Sequence, residues 1–176
     1  MAPEYAFFTR WRVRGTTKEV ADVLGDVLSL PRWWPSVYLD VKELAPGDPV
    51  TGTGRAIELY TKGWLPYTLR WRFTVTESDP PNGFKLVAEG DFVGTGVWTF
   101  KQDGDFVEAL YDWRIGVDKT LIRLGTPIFR PVFAANHRWA MARGEQSLVL
   151  ELRRRHATTP AERKAIPPPP KPTFKW

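Results

Sequence analysis

His137 is the residue in this chain best suited to moving a proton near neutral pH, because no other unperturbed side chain titrates there. It stands in an apolar stripe: at 100° per residue, Phe129, Phe133, His137, Ala140, Met141, Gly144, Leu148 and Leu152 fall on one side of a helix. A histidine in that place either faces a cavity as a general acid or base, or fills a core with one hydrogen bond satisfied. Arg55 follows Gly52-Thr53-Gly54; turned inward beside Ile57 and Leu59 it would fix an acidic headgroup, and turned outward it would form a salt bridge. A third group is aromatic. Tyr67, Trp71, Trp98, Tyr111 and Trp113 offer apolar area with a polar tip, which suits a cavity for a flat or lipidic ligand and equally suits a filled core.

Other chemistries find no residues to carry them. With no cysteine among 176 residues, a disulfide scaffold, a thiolate zinc site, an iron–sulfur cluster and a cysteine nucleophile are excluded. Two histidines leave almost no room for a multi-histidine metal site. There is no Gly-x-Ser-x-Gly elbow, no HExxH and no paired-carboxylate arrangement. Gly52-Thr53-Gly54 and Gly94-Thr95-Gly96 lack the glycine spacing of a phosphate loop. Neither a cofactor nor a metal is expected.

These residues need elements to hold them. Tyr5 to Arg14 alternates, with Phe7, Trp11 and Val13 opposite Arg10, Arg12 and Arg14, the period of a half-buried strand. Thr16 and Glu19 form a capping box ahead of Val20, Leu24 and Val27 at helical spacing. Pro31 and Pro35 confine the next helix to a turn around Trp33-Trp34. From Val37 to Gly116, turn sequences such as Ala45-Pro46-Gly47-Asp48-Pro49 and Asp79-Pro80-Pro81-Asn82-Gly83 separate consecutive antiparallel strands. In the clearest of them Tyr67, Leu69, Trp71, Phe73 and Val75 share a face, as do Val107, Ala109, Tyr111, Trp113 and Ile115, so one sheet face is aromatic and the other wet. Asp112 and Arg114 belong to the wet face, where pairing with Arg10 or Arg12 is expected if the first and last strands are neighbours. Pro127 and Pro131 limit where a helix begins, and about Phe129 to Leu152 is helical, laid across the aromatic face with Ala140 and Gly144 at the closest approach.

Charge separates along the same boundary. The formal net charge is +5, but residues 153–176 carry seven Lys/Arg and one carboxylate, leaving −1 for residues 1–152. Two units are therefore expected: a nearly neutral folded domain at 1–152 and a basic, proline-rich, flexible tail at 153–176 suited to a partner or membrane-surface contact. The arginines Arg10, Arg12, Arg14, Arg70, Arg72 and Arg114 lie opposite the aromatics that would have to stack on bases, so nucleic acid is not an expected partner. No stretch has the roughly 18 consecutive apolar residues of a membrane span, and Glu4, Arg10 and Arg12 interrupt any signal-like block; a cytoplasmic protein is expected.

Strand, two short helices, six strands and a long C-terminal helix is the element order of an α+β helix-grip sheet. Phe7-Phe8-Thr9-Arg10-Trp11, Arg32-Trp33-Trp34-Pro35, Gly52-Thr53-Gly54-Arg55, Thr74-Val75-Thr76-Glu77-Ser78-Asp79-Pro80-Pro81 and Gly90-Asp91-Phe92-Val93-Gly94-Thr95-Gly96, in that order, resemble the START/Bet v 1-like superfamily (SRPBCC) over about residues 5–152. The branch they resemble is the bacterial polyketide cyclase/dehydrase and lipid-transport group. The resemblance implies a curved seven-stranded antiparallel sheet wrapped around the last helix, with a cavity for an apolar small molecule between them. It implies no single chemistry, because members include carriers, aromatase/cyclases and receptors. The expected function is binding or transport of a lipid, polyketide or aromatic compound in a cavity lined by Tyr67, Trp71, Trp98, Tyr111, Trp113, Phe133, His137, Met141 and Arg55. The alternative is an aromatase/cyclase in which His137, with a water or Tyr111, promotes enolisation or dehydration. A third reading is a non-catalytic scaffold that docks a partner through its tail.

Overall fold

Alternation builds the sheet. The computed structural model describes residues 4–117 and 126–174. Seven strands, β1 (Glu4–Arg14), β2 (Tyr38–Ala45), β3 (Ala56–Lys62), β4 (Thr68–Asp79), β5 (Gly83–Gly90), β6 (Phe92–Asp103) and β7 (Phe106–Val117), form one antiparallel sheet in the order β1-β7-β6-β5-β4-β3-β2. In β4, Leu69, Trp71, Phe73 and Val75 are buried while Arg70, Arg72 and Thr74 are exposed, as period-2 spacing requires. The first and last strands are neighbours, as the resembled fold implies: β1 pairs β7 along its whole length. The charge pairing on the wet face differs from the expected one. Asp112 and Arg114 bond to each other at 3.0 Å, Arg10 pairs with Glu108, and Arg12 pairs with Asp103. Residues two apart on one strand share a face, so a local pair competes with the cross-strand one. Such exposed pairs contribute about 0–1 kcal/mol each.

Three helices close the aromatic face. The capping box at Thr16 and Glu19 is formed and starts α1 (Thr17–Gly25), which buries Val20, Val23 and Leu24. A 3-10 turn (Val27–Ser29) leads into α2 (Leu30–Trp33), where Pro31 stands in the first turn. The long helix α3 (Thr126–His156) crosses the sheet. It begins upstream of both prolines that were expected to limit it: Pro127 is in the first turn, and Pro131 sits inside, forfeiting one helical hydrogen bond. Its stripe faces inward as spaced, with Phe133, Met141, Leu148 and Leu152 buried; the side chain of Phe129 lies outside the described residues. Gly144 is where the helix comes closest to the indoles of Trp11 and Trp34. Lower on α3, Glu151 is buried. Burial pushes its carboxyl up, but hydrogen bonds from Arg32 at 2.7 and 2.9 Å and from Arg155 at 3.2 Å outweigh this and hold it below its usual value, clamping α2 to α3.

Beyond 152 the helix runs on to His156, and a short helix α4 (Pro160–Ala165) follows with its own capping box, Thr159 with Glu162. That signal, Thr-Pro-Ala-Glu, is present in the sequence and was masked by the prolines around it. The remaining chain returns to the domain: Arg154 donates to the Pro167 carbonyl, the Thr173 hydroxyl donates to the Trp64 carbonyl at 3.4 Å, and the Phe174 ring lies 4.8 Å from Lys62 Nζ.

Candidate functional site

Between the aromatic sheet face and α3 lies a cavity of about 90 Å³. The sheet supplies Leu69 and Trp71 from β4, Phe92 from β6, and Tyr111, Trp113 and Ile115 from β7. The helix supplies Phe133, Asn136, His137, Ala140 and Met141, and the rest comes from the turn after α2, the start of β2 and the end of β3 with Gly63 beyond it. Six of the nine expected cavity residues therefore meet there: Trp71, Tyr111, Trp113, Phe133, His137 and Met141.

The other three lie elsewhere. Trp98 is buried but spends its faces on neighbours, stacking on Tyr111 at 4.3 Å and tilting against Trp11 at 5.0 Å, so it backs the wall without lining it. Tyr67 precedes β4 and does not line the cavity; burial and the nearby Tyr5 push its phenol up to about 12. Arg55 does not line the cavity, a correction of that placement. It precedes β3, which begins at Ala56, and it pairs with Glu43 at 2.7 Å and donates to the Gly25 carbonyl at 2.9 Å, where it caps the C-terminal end of α1.

His137 stacks on Phe7, with ring centroids 4.1 Å apart and planes 15° from parallel. Burial, with the Arg138 charge adding to it, lowers its pKa to about 4, so the imidazole is neutral at pH 7. A neutral imidazole whose conjugate acid is that strong is a weak base near neutrality, and it is well suited to a fixed hydrogen bond with a ligand. Its Nε2 has no hydrogen-bond partner among the described residues.

Sequence reasoning missed Trp34, Tyr38, Thr61, Lys62, Phe92 and Asn136. Trp34 is presented by the turn after α2, and its indole Nε1 is buried without a partner among the described residues. Thr61 accepts the Trp71 indole N–H at 3.0 Å, which fixes that ring as a wall. Asn136 accepts the backbone N–H of Trp64 at 2.8 Å and of Leu65 at 3.3 Å, tying the β3–β4 turn to α3. Gly63 permits this approach, because a Cβ there would overlap the Asn136 amide. Lys62 gave no sign of itself. Alternation with Ile57, Leu59 and Thr61 directs it outward, yet it is 2 % exposed, and burial pushes its pKa down.

The cavity thus has aromatic walls, a neutral histidine, and one ammonium with no carboxylate among the described lining residues. No group of three or more described His, Asp or Glu side chains is placed to hold a metal ion.

No protein-family model matches the sequence, and no curated protein does. Solved structures do match. The aromatase/cyclase Zhui from Streptomyces sp. R1128 is 16% identical with a TM-score of 0.70, over 89% of this chain and 98% of that one. TTHA0849 from Thermus thermophilus is 15% identical with a TM-score of 0.66, over 85% and 99%. Ara h 8.0201 is 11% identical with a TM-score of 0.54, over 85% and 99%. At these identities the likeness concerns the fold.

Proposed function

We infer, for a chain that has the START/Bet v 1-like (SRPBCC) helix-grip fold, that its function is to bind a small, flat, largely apolar molecule between the sheet and α3. The observation that carries this reading is the cavity itself, walled by Trp34, Trp71, Trp113, Phe92 and Phe133 and holding buried polar atoms that no described residue satisfies. Its size narrows the ligand. About 90 Å³ is well below the roughly 300–1,000 Å³ of sites for drug-sized molecules. It is nearer the engineered cavity of about 150 Å³ that takes benzene. A lipid chain or a fused polyketide does not fit this space, and a single ring does after modest widening. Indoles crowd this end of the core: Trp34 lines the cavity, and Trp11 and Trp33 pack against it at 5.5 and 5.6 Å.

Cyclase chemistry has less support. Its expected acid or base, His137, is held neutral by burial, and no described carboxylate lines the cavity to tune it. No described helix is long and apolar enough to cross a membrane.

Native mass spectrometry of the purified chain tests the reading. The expected result is a fraction carrying one small added mass, or one that appears saturably when a single-ring aromatic is supplied. Spectra that stay ligand-free across a panel of such compounds would contradict it.

A further inference from the structure

Three cavity-lining residues carry a buried polar atom with no hydrogen-bond partner among the described residues: Trp34 at Nε1, Lys62 at Nζ and His137 at Nε2. An indole N–H only donates, an ammonium has three donors and no acceptor, and a neutral imidazole donates from Nε2 in one tautomer. The unmet need in this cavity is therefore for acceptors. It is also for negative charge, because Lys62 is 2 % exposed and no described Asp or Glu lines the space. The Phe174 ring, 4.8 Å from Nζ, offers its π face and leaves the ammonium hydrogens without an oxygen. Buried ammonium groups are normally paired, and removing water from one without a counter-charge is costly. The surrounding walls are aromatic, and the volume admits one ring after modest widening.

We propose that the ligand of this cavity is a monocyclic aromatic carboxylate, its ring held among Trp34, Trp71, Phe92 and Trp113 and its carboxylate taken by the Lys62 ammonium with the Trp34 and His137 N–H groups. This rests on the cavity-binding reading and specifies the chemical class. A carboxylate's two oxygens offer four lone-pair directions to these donors, whereas a neutral ring leaves the ammonium as it stands. Ordered water is the competing occupant, since a polar pocket of this size can hold several molecules. Water gives an anion no advantage over a hydrocarbon.

The test is calorimetric titration of the full chain with benzoate and with toluene, which share the ring and differ in charge. Benzoate is expected to bind at least tenfold more tightly than toluene. In Lys62→Met, benzoate should weaken at least tenfold while toluene stays within about threefold. Equal affinities in the unmodified chain, or an unchanged benzoate affinity in Lys62→Met, overturn the carboxylate inference and leave the cavity reading standing. Failure of both compounds to bind overturns both. The comparison of the two ligands in the unmodified chain needs no variant, so it decides the matter even if Lys62→Met does not fold.

Discussion

Gly144→Val is expected to lower stability by about 3 kcal/mol or more, the upper part of the range for overpacking a closed core. A Cβ at this position would lie 2.6 Å from Trp34 Cη2 and 2.7 Å from Trp11 Cζ2, well inside contact distance. Relief requires moving a packed indole: Trp11 is 1 % exposed and packs edge to face against Trp34 at 5.5 Å, and a shift of Trp34 would intrude on the cavity it lines. Gly144→Ala separates two opposing effects. Alanine gains about 1 kcal/mol in a helix interior, yet its methyl meets the same indoles, so the net change is still a loss, smaller than for valine. For a chain of this length, about 3 kcal/mol corresponds to a fall in Tm of roughly 6–12 °C. Urea unfolding measures it, and a Gly144→Val protein of undiminished midpoint would mean that the helix does not approach the sheet as closely as described.

The second large effect depends on pH. His137 has a pKa of about 4 in the folded protein against an ordinary value near 6.5 when unfolded. Its folded pKa is depressed, so between these values the unfolded chain binds the proton and the folded one does not. Stability is then complete above about pH 6.5 and falls as pH drops toward 4, approaching a loss of about 3 kcal/mol at roughly 1.4 kcal/mol per unit of pKa difference. Carboxylates with lowered values, Glu151 and Glu19 among them, lose their contribution as pH falls through their own folded pKa values, below the ordinary carboxylate range. The interval from about 6.5 to 4.5 therefore belongs chiefly to the histidine. His137→Leu should remove the slope there, as read from urea unfolding free energies across that interval for both proteins. Parallel curves would place the imidazole in water rather than against Phe7.

What was legible in the sequence was local or periodic. The capping box of Thr16 and Glu19, the alternation of β4 and β7, and the small residues of the α3 stripe each state their geometry within a few residues, and the structure forms each of them. The element order carried the fold for the same reason. The cavity was legible only in part, because lining depends on which strand ends where. Alternation correctly turned Trp71, Tyr111 and Trp113 inward, but it could not show that Trp98 would be covered by Trp11 and Tyr111. Arg55 was counted among the cavity residues, and its bonds to Glu43 and to the end of α1 hold it away from that space. Lys62 is the clearest case: its burial arises beside Phe174, 112 positions away in the chain, and no spacing rule reaches that far. Composition alone had assigned the tail its charge, and nothing in that charge foretold a ring over the ammonium.

Met141 provides the most direct test of the account. The chain has two methionines, and Met141 lines the cavity on α3 while Met1 begins the chain. With carbon-13-labelled methionine methyl groups, two signals are expected. Titration with benzoate should move the Met141 signal saturably, with one site per chain, and leave that of Met1 in place. A Met141 signal that does not respond to benzoate or toluene, or that responds no more than Met1, would contradict a ligand-binding cavity between the sheet and the long helix.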